Sequence, residues 1–341
     1  MKELPDKNLL GIQRVIGEIT LPQQAKQLNN DCSFIYSDEI LIDVEYLNLD
    51  AASYCHLKTS CDGNPERMKR EIFKWIEQRG KIQNPVTGSG GMLVGTICAK
   101  GNNASHSCEI GDQIFSLVSL TLTPLQLSDI DIKSITSPQI KVCGKAILFE
   151  NSIYTKIPEN TPLDQLLALF DVCGAPALML RYLQSDSTVM ILGAGGRSGL
   201  LSAAAIRDSV FPNIQLIGID SDASALNRMA RSKWFDEIFN VDLRDVSAAI
   251  RSDLCNRADL VINCSSTPGT ESFSILATKD GGTLLFFGMA TSFSAAALGA
   301  EGIGKFIQML IGSGYVPGHA TDAVNLFRKS QMLQNLWEIM K

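Results

Sequence analysis

The apolar run Thr188 to Leu192 stops at Gly193-Ala194-Gly195-Gly196-Arg197-Ser198-Gly199 and passes into a second apolar stretch, Leu200 to Ile206. This is the pattern of a strand, a tight turn and a helix. Gly193 permits the turn, Gly195 and Gly196 let backbone approach a pyrophosphate, and Gly199 lets helix pack on strand. The unpaired N–H groups at the helix start then face the phosphates. Ser198 stands where the plain G-x-G-x-x-G has its last glycine, so the run fits G-x-G-G-x-x-G. It reads as a dinucleotide-binding turn, with an ordinary strand-to-helix turn as the alternative.

Twenty-one residues beyond Gly199, the apolar strand Ile214 to Ile219 ends in Asp220. A carboxylate there can accept both ribose hydroxyl hydrogens and would repel a 2′-phosphate, which favours NAD over NADP. Asp220, Ser221 or Asp222 could instead cap the helix that follows from Ala223 to Arg231. Arg197 on the turn could hold phosphate of either cofactor, so NADP stays open.

The elements around this turn repeat. Strands are expected at Glu237 to Val241, Ala258 to Cys264 and Gly282 to Gly288, with helices around Leu243 to Leu254 and Ser272 to Thr278. Such alternation predicts a doubly wound parallel sheet of order 3-2-1-4-5-6, ligands lying at its carboxyl edge. That edge adds Asn263-Cys264-Ser265 and Gly288-Met289-Ala290 to the cofactor contacts, Cys264 and Met289 among them. The run Ala295 to Gly304 is a weak helix or a loop. Thr321 to Met340 has near-helical apolar spacing.

The first 157 residues read differently. Ile40 to Leu49, Leu93 to Cys98 and Gln113 to Leu120 are strand-like, and turns are abundant, so this part is mainly β. Between Pro65 and Arg79 the positions Met68, Ile72, Trp75 and Ile76 share one face of an amphipathic helix. Asn84-Pro85-Val86-Thr87-Gly88-Ser89-Gly90-Gly91 is a glycine-rich turn. No P-loop lysine follows it.

With 341 residues, two domains are expected, each able to bury its own core. A net charge of −6 without basic clusters argues against nucleic acid and anionic membrane as partners. Nine cysteines, an odd number without framework spacing, suggest reduced thiols in a cytoplasmic protein. The N-terminus is too polar for a signal peptide, and no apolar run reaches membrane-spanning length.

The order of these landmarks resembles the medium-chain dehydrogenase/reductase architecture over nearly the whole chain. The resemblance implies a GroES-like mainly-β domain over residues 1–157, with 319–341 packing back on it, and a Rossmann domain over 158–318. It implies a nicotinamide cofactor in the cleft and a homodimer or higher homo-oligomer. The zinc positions of the family fall here on Asp50 and Ser89, with the third near Asp171 or Cys173. No imidazole is present, so no catalytic zinc is expected.

Further blocks resemble the L-erythro-3,5-diaminohexanoate dehydrogenases of anaerobic lysine fermentation: Asn84 to Met92, Ser119 to Leu125, Gly144 to Glu150, and Ala290 to Phe293 with Ala296 to Gly302. The resemblance implies NAD(P)-dependent oxidative deamination of a small diamino acid. An ammonium group, near pKa ~10, must lose a proton before hydride can leave its carbon. A base and acidic pocket groups are therefore expected. Glu150, Asp171, Asp50 and Glu301 are the carboxylates in the resembling blocks or at former metal positions, and Ser119 and Thr121 are hydrogen-bonding candidates.

Lys145 or Lys305 is a candidate for the substrate carboxylate. His56 is an alternative base, His319 a weaker one, and His106 a solvated loop residue. Two rivals remain. One is a zinc-independent alcohol or quinone/enoyl reductase, the other a non-catalytic dinucleotide-sensing module.

Overall fold

The structure, a computed structural model, describes residues 10–104, 108–158, 161–288 and 290–340. The candidates His106 and Met289 lie outside the described residues. The chain forms two compact units, Met1–Leu167 and Ala168–Lys341.

The front unit runs β1 (Val15–Ile16), β2 (Gln27–Leu28), β3 (Glu39–Asn48), α1 (Ala51–Ser60), α2 (Pro65–Arg79), β4 (Met92–Lys100), β5 (Gln113–Ser116), β6 (Leu125–Ile130), β7 (Gln139–Phe149) and β8 (Tyr154–Lys156). β1 and β2 form a small ribbon. The other strands make an antiparallel sheet of order β6-β7-β3-β4-β5-β8. On β3 the buried set changes phase, from Ile40, Ile42 and Val44 to Leu47, because the register slips between Val44 and Tyr46. A bulge of this kind moves an apolar set to the other parity without exposing it.

Arg14 and Glu39, both fully buried, form a two-pronged pair, Nε to Oε1 at 3.0 Å and Nη2 to Oε2 at 2.7 Å. The guanidinium also donates to the carbonyls of Asp31 and Phe34, tying the first segment to the start of β3. Four of the five guanidinium N–H donors are thus met, which offsets the desolvation of both charges.

α2 has the face expected of it, with Met68, Ile72, Trp75 and Ile76 buried. Asn64 caps its start by accepting from the Arg67 N–H, Pro65 occupies the first turn, and Gly80 ends it in the left-handed conformation. Only glycine fits at Gly80, because a Cβ would lie 1.9 Å from the Leu28 carbonyl oxygen. α1 had no counterpart among the expected elements. Its start is made by Asp50, whose side chain accepts from the Ser53 N–H.

The rear unit begins within α3 (Leu163–Phe170) and continues with α4 (Gly174–Leu180), β9 (Thr188–Leu192), α5 (Arg197–Asp208), β10 (Gln215–Asp220), α6 (Ala223–Ser232), β11 (Glu237–Asn240), α7 (Val246–Arg251) and β12 (Ala258–Asn263). It ends with α8 (Glu271–Ala277), β13 (Thr278–Phe286), α9 (Phe293–Gly302), β14 (Gln308–Ile311), α10 (His319–Lys329) and α11 (Gln331–Ile339). The six strands are parallel in the order β11-β10-β9-β12-β13-β14, the 3-2-1-4-5-6 winding that the alternation predicts. Met190, Leu192, Ile217 and Val261 feed the core on one face, and Val189, Ile191, Leu216 and Ile262 feed the other. Coverage of both faces explains why these strands read as continuous apolar runs.

The run from Ala295 is helical, as α9, and begins at the Ser292 cap. The tail 319–341 was expected on the front domain. The structure instead packs α10 on α4 and α5, and α11 on α5 and α6, all within the rear unit. The apolar residues Val324, Phe327, Leu333, Leu336 and Trp337 are buried there.

Candidate functional site

At the carboxyl edge of β9, Gly193 is left-handed, with φ 72°, and its missing Cβ would lie 3.0 Å from the Ser265 backbone nitrogen. A Cβ on Gly195 would lie 2.4 Å from that of Ala225, and one on Gly199 2.6 Å from the Ala194 Cα. These glycines therefore let β9, α5 and α6 approach closely. Gly196 is the N-cap of α5 and no side chain caps that helix, so the backbone N–H groups of Arg197, Ser198 and Gly199 begin the helix without a side-chain acceptor.

Asp220 Oδ2 accepts from the Gly195 N–H at 3.1 Å, and Oδ1 accepts from the N–H groups of Ser221 and Asp222 at 2.9 and 3.2 Å. The α6 cap is Asp222, which accepts from the Ala225 N–H at 2.7 Å. Asp220 is thus held against the glycine turn, and the capping alternative falls to its neighbour. Beside it, Gly193, Ser221, Asp242, Leu243, Arg244, Ser265 and Thr267 complete a pocket of about 90 Å³.

Two cations near this edge are already engaged. Arg197 Nη2 donates to the Met340 carbonyl at 2.8 Å, its Nε being buried without a partner among the described residues. Arg244 grips Asp242, with Nη2 to Oδ2 at 2.6 Å and Nε to Oδ1 at 3.0 Å, and this hydrogen bonding holds the Asp242 carboxyl down to about 2. Cys264 follows β12 with its N–H on the Leu192 carbonyl, and burial pushes its thiol up to about 12. A thiol so raised is no nucleophile at neutral pH. Asn263 fixes this loop by donating to Thr270 and Ser274 hydroxyls and accepting from the Ser265 N–H.

A dinucleotide is compatible with this edge: the glycines let α5 and α6 close onto β9, α5 starts without a side-chain cap, and Asp220 is held against the glycine turn.

In the front unit, the turn Asn84 to Gly91 folds over the start of α1. Asn84 Oδ1 accepts from the N–H groups of Val86 and Thr87, and the Asn84 N–H donates to the Ser89 carbonyl. This places Thr87 and Ser89 beside Ser53 on α1. Their three hydroxyl oxygens lie within hydrogen-bond reach of one another, Ser53 to Thr87 at 3.1 Å, Ser53 to Ser89 at 2.9 Å and Thr87 to Ser89 at 2.8 Å. Ser89 Oγ also donates to Asp50 Oδ1 at 3.0 Å. Oδ1 is therefore shared between Ser89 and the Ser53 N–H, while Oδ2 is buried with no partner among the described residues. A buried acceptor left this way calls for a donor.

Ser119 and Thr121 belong to the same neighbourhood. Thr121 Oγ1 donates to Ser119 Oγ at 3.0 Å, and the Leu120 N–H donates to the Gly91 carbonyl at 2.8 Å. Gly90 lacks a Cβ where one would lie 3.3 Å from the Thr121 methyl, so this turn packs against the Ser89–Gly91 backbone.

The remaining candidates lie elsewhere. Glu150 follows β7 at the end where Phe149 pairs with Glu39, whereas Asp50 follows the other end of β3, where Asn48 pairs with Gln139. About 30 Å of strand separates those ends, so the two carboxylates do not share one site. Asp171 is exposed in the turn between α3 and α4, not enclosed by its apolar neighbours. Glu301 is exposed in the last turn of α9.

Lys145 is taken by Asp43 at 2.6 Å, a bond that raises its pKa. Lys305 donates to the Ile275 and Leu276 carbonyls, and burial lowers it. His319 is buried at the start of α10 against Tyr315, and burial lowers its pKa. His56 is half-buried on α1, its Nδ1 without a partner among the described residues. Ser53 and Thr87 went unnoticed in the sequence, although Ser53 follows Asp50 at capping distance.

A family model, L-erythro-3,5-diaminohexanoate dehydrogenase N-terminal domain, matches residues 13–158. The L-erythro-3,5-diaminohexanoate dehydrogenase of Acetoanaerobium sticklandii is 38% identical over 338 residues, 97% of this chain and 98% of that one. The chain belongs to the L-erythro-3,5-diaminohexanoate dehydrogenase family. A Fusobacterium nucleatum relative of the same name is 39% identical over 96% of both chains. Members of this family keep a fold seen in solved structures of other names. The CurK enoyl reductase matches with a TM-score of 0.52 at 12% identity, over 89% of this chain and 79% of that one. The quinone oxidoreductase of Coxiella burnetii matches with 0.52 at 15%, over 86% and 80%. At such identities the likeness speaks for the medium-chain dehydrogenase/reductase fold alone.

Proposed function

We propose that this chain catalyses the NAD(P)-dependent oxidative deamination of (3S,5S)-3,5-diaminohexanoate to (S)-5-amino-3-oxohexanoate and ammonia, in lysine fermentation. The observation that carries the reading is similarity at 38% and 39% identity along nearly the whole length of two dehydrogenases of that name. The chemistry of the front unit supports it. A diamino acid brings ammonium donors, and Asp50 Oδ2 is a buried acceptor without one among the described residues. A reductase of neutral carbonyl or alkene substrates has no use for such a group, and neither has a module that only senses dinucleotide.

In this reading the nicotinamide, when bound, supplies the hydride acceptor. The chain holds the dinucleotide through Gly193 to Gly199 and Asp220. Asp50 receives the amine and its proton, and Ser119, with Thr121 behind it, offers a hydroxyl to the substrate. Glu150, Asp171 and Glu301 are left out for the reasons of position given above. We further propose the homodimer contact at β14, an edge strand that ends in the exposed Ile311 and is preceded by the exposed Phe306. Nine free thiols agree with the cytoplasm.

The test is direct. Purified protein with NAD and 3,5-diaminohexanoate should form reduced nicotinamide and ammonia in equal amounts. Folded protein that forms neither rules the reaction out.

NAD is the proposed cofactor, because Asp220, held against the glycine turn, would meet the ribose, while Arg197 and Arg244 already have partners in Met340 and Asp242. Serine at position 220 should raise the ratio of kcat/KM for NADP to that for NAD by at least about tenfold, through lost repulsion of about 1.4 kcal/mol. Arg244 lines the same pocket but stays paired with Asp242, so the shift comes from the lost repulsion alone. An unchanged ratio would remove Asp220 from the ribose.

A further inference from the structure

Amines hold protons more tightly than carboxylates do, by about 6 pKa units in water. A carboxylate that touches an ammonium therefore cannot keep the proton it receives. It must pass it on before hydride can leave. With the substrate amine seated on Asp50 Oδ2, a buried atom with no partner among the described residues, that atom has no direct path to solvent. The other Asp50 oxygen, however, opens onto the three hydroxyls, which reach the surface: Ser53 is fully buried, Ser89 half-buried and Thr87 exposed.

We propose that Ser89 and Thr87 form a proton relay from Asp50 to solvent, with Ser53 holding the two in register, so that the substrate amine is deprotonated through the protein. The inference rests on the deamination reading above. The N–H bond of the ammonium breaks, its electron pair stays on nitrogen, and an O–H bond forms at Asp50 Oδ2. The carboxyl then turns, presenting that proton to Ser89 Oγ, while the Ser89 hydrogen swings from Asp50 Oδ1 to Thr87. As Ser89 accepts it, Ser89 gives its own proton to Thr87 across 2.8 Å, and Thr87 gives its own to water. One proton has moved from nitrogen to solvent, nothing is oxidised or reduced, and rotation of the hydroxyls restores the starting bonds.

The geometry suits this use. Each hydroxyl has one hydrogen and can accept others, so each of the three can turn its hydrogen to a different neighbour while the oxygens stay in place. Ser53, whose N–H is also bonded to Asp50 Oδ1, reaches both partners and keeps the distances near 3 Å. The Ser89 N–H donates to Thr87 Oγ1 at 3.3 Å, a further tie that holds the threonine over the exit.

Thr87→Val preserves the shape and removes the last hydroxyl of the path. With wild-type enzyme, NAD and 3,5-diaminohexanoate as reference, this variant should lose roughly 10- to 100-fold in kcat at neutral pH, with substrate KM within about twofold. The loss should shrink as pH rises and as imidazole buffer is added, because a small base can collect the proton from Ser89 in place of Thr87. Thr87→Ser should recover most of the rate. A purely structural role would respond to neither buffer nor pH. If wild type turns over and Thr87→Val does too, or if Thr87→Val is slow regardless of buffer concentration, the relay is wrong. If wild type itself is inert with this substrate, the functional reading falls and the relay with it.

Discussion

Asp50→Asn should lower kcat about a thousand-fold while leaving dinucleotide affinity within about twofold, the range that loss of a general base produces. Asparagine is nearly isosteric and caps helices about as well as aspartate. Its Oδ1 can still accept from the Ser53 N–H and the Ser89 hydroxyl, the two bonds that tie α1 to the Asn84–Gly91 turn. The fold therefore survives, and circular dichroism should show it. What disappears is the negative charge and the basicity at the buried Oδ2 position, where the amide now presents N–H donors to an ammonium. Steady-state kinetics measures the first quantity and fluorescence titration with reduced dinucleotide the second. A variant that keeps activity within a few-fold would take Asp50 out of the chemistry. Asp50→Ala is a poorer probe, because it also removes the cap, a loss of about 1 kcal/mol.

The asymmetry between the two units in what the chain discloses has a physical origin. In the rear unit the information is local. Gly193 has φ 72° and a Cβ there would lie 3.0 Å from the Ser265 nitrogen, and a Cβ on Gly195 or Gly199 would come closer still to its neighbour, so the turn announces itself over seven residues. Strand and helix alternate, and right-handed crossovers leave little choice of winding. The order of the six strands was legible for that reason.

In the front unit the decisive contacts are distant in sequence. Ser53 meets Thr87 and Ser89 across 34 and 36 positions, and nothing near Ser53 marks it as their partner. α1 itself, Ala51–Ser60, carries too few periodic apolar residues to read as a helix. It exists because Asp50 caps it and because Ser53 and Leu57 are fully buried.

Strand direction accounts for the carboxylates that were chosen and then set aside. Glu150 ends an apolar strand just as Asp50 follows one, and the two look alike in sequence. Which end of a sheet each occupies depends on antiparallel pairing, and the register of β3 with β7 puts them at opposite ends. Asp171 sits among apolar residues in the chain, yet the break between α3 and α4 turns it outward. The tail shows the same limit. The faces of α10 and α11 were readable as apolar, but apolarity does not name the partner, and α4, α5 and α6 take it.

Gly195→Val should raise the dissociation constant for NAD at least about 100-fold. The added Cβ would lie 2.4 Å from the Ala225 Cβ and 2.6 Å from the Ala225 Cα and carbonyl oxygen. Two of these three atoms are backbone of α6, so no side-chain rotation relieves the contact, and the turn and α6 must separate. Separation breaks the Gly195 N–H bond to Asp220 and the Arg228 Nε bond to the Gly195 carbonyl, at 3.1 and 2.9 Å. The ribose acceptor and the phosphate turn then lose their common register, and a 100-fold change corresponds to about 2.7 kcal/mol. Isothermal titration calorimetry reads the constant, and Tm reports whether the unit is intact. Gly196→Ala separates fold from binding in this test. Its Cβ would meet nothing nearer than the Gly193 carbonyl oxygen at 3.4 Å and φ is −76°, so only the poorer cap remains and Tm should fall by no more than a few degrees. Should Gly195→Val remain folded and bind NAD within threefold of wild type, the cofactor does not lie on this turn.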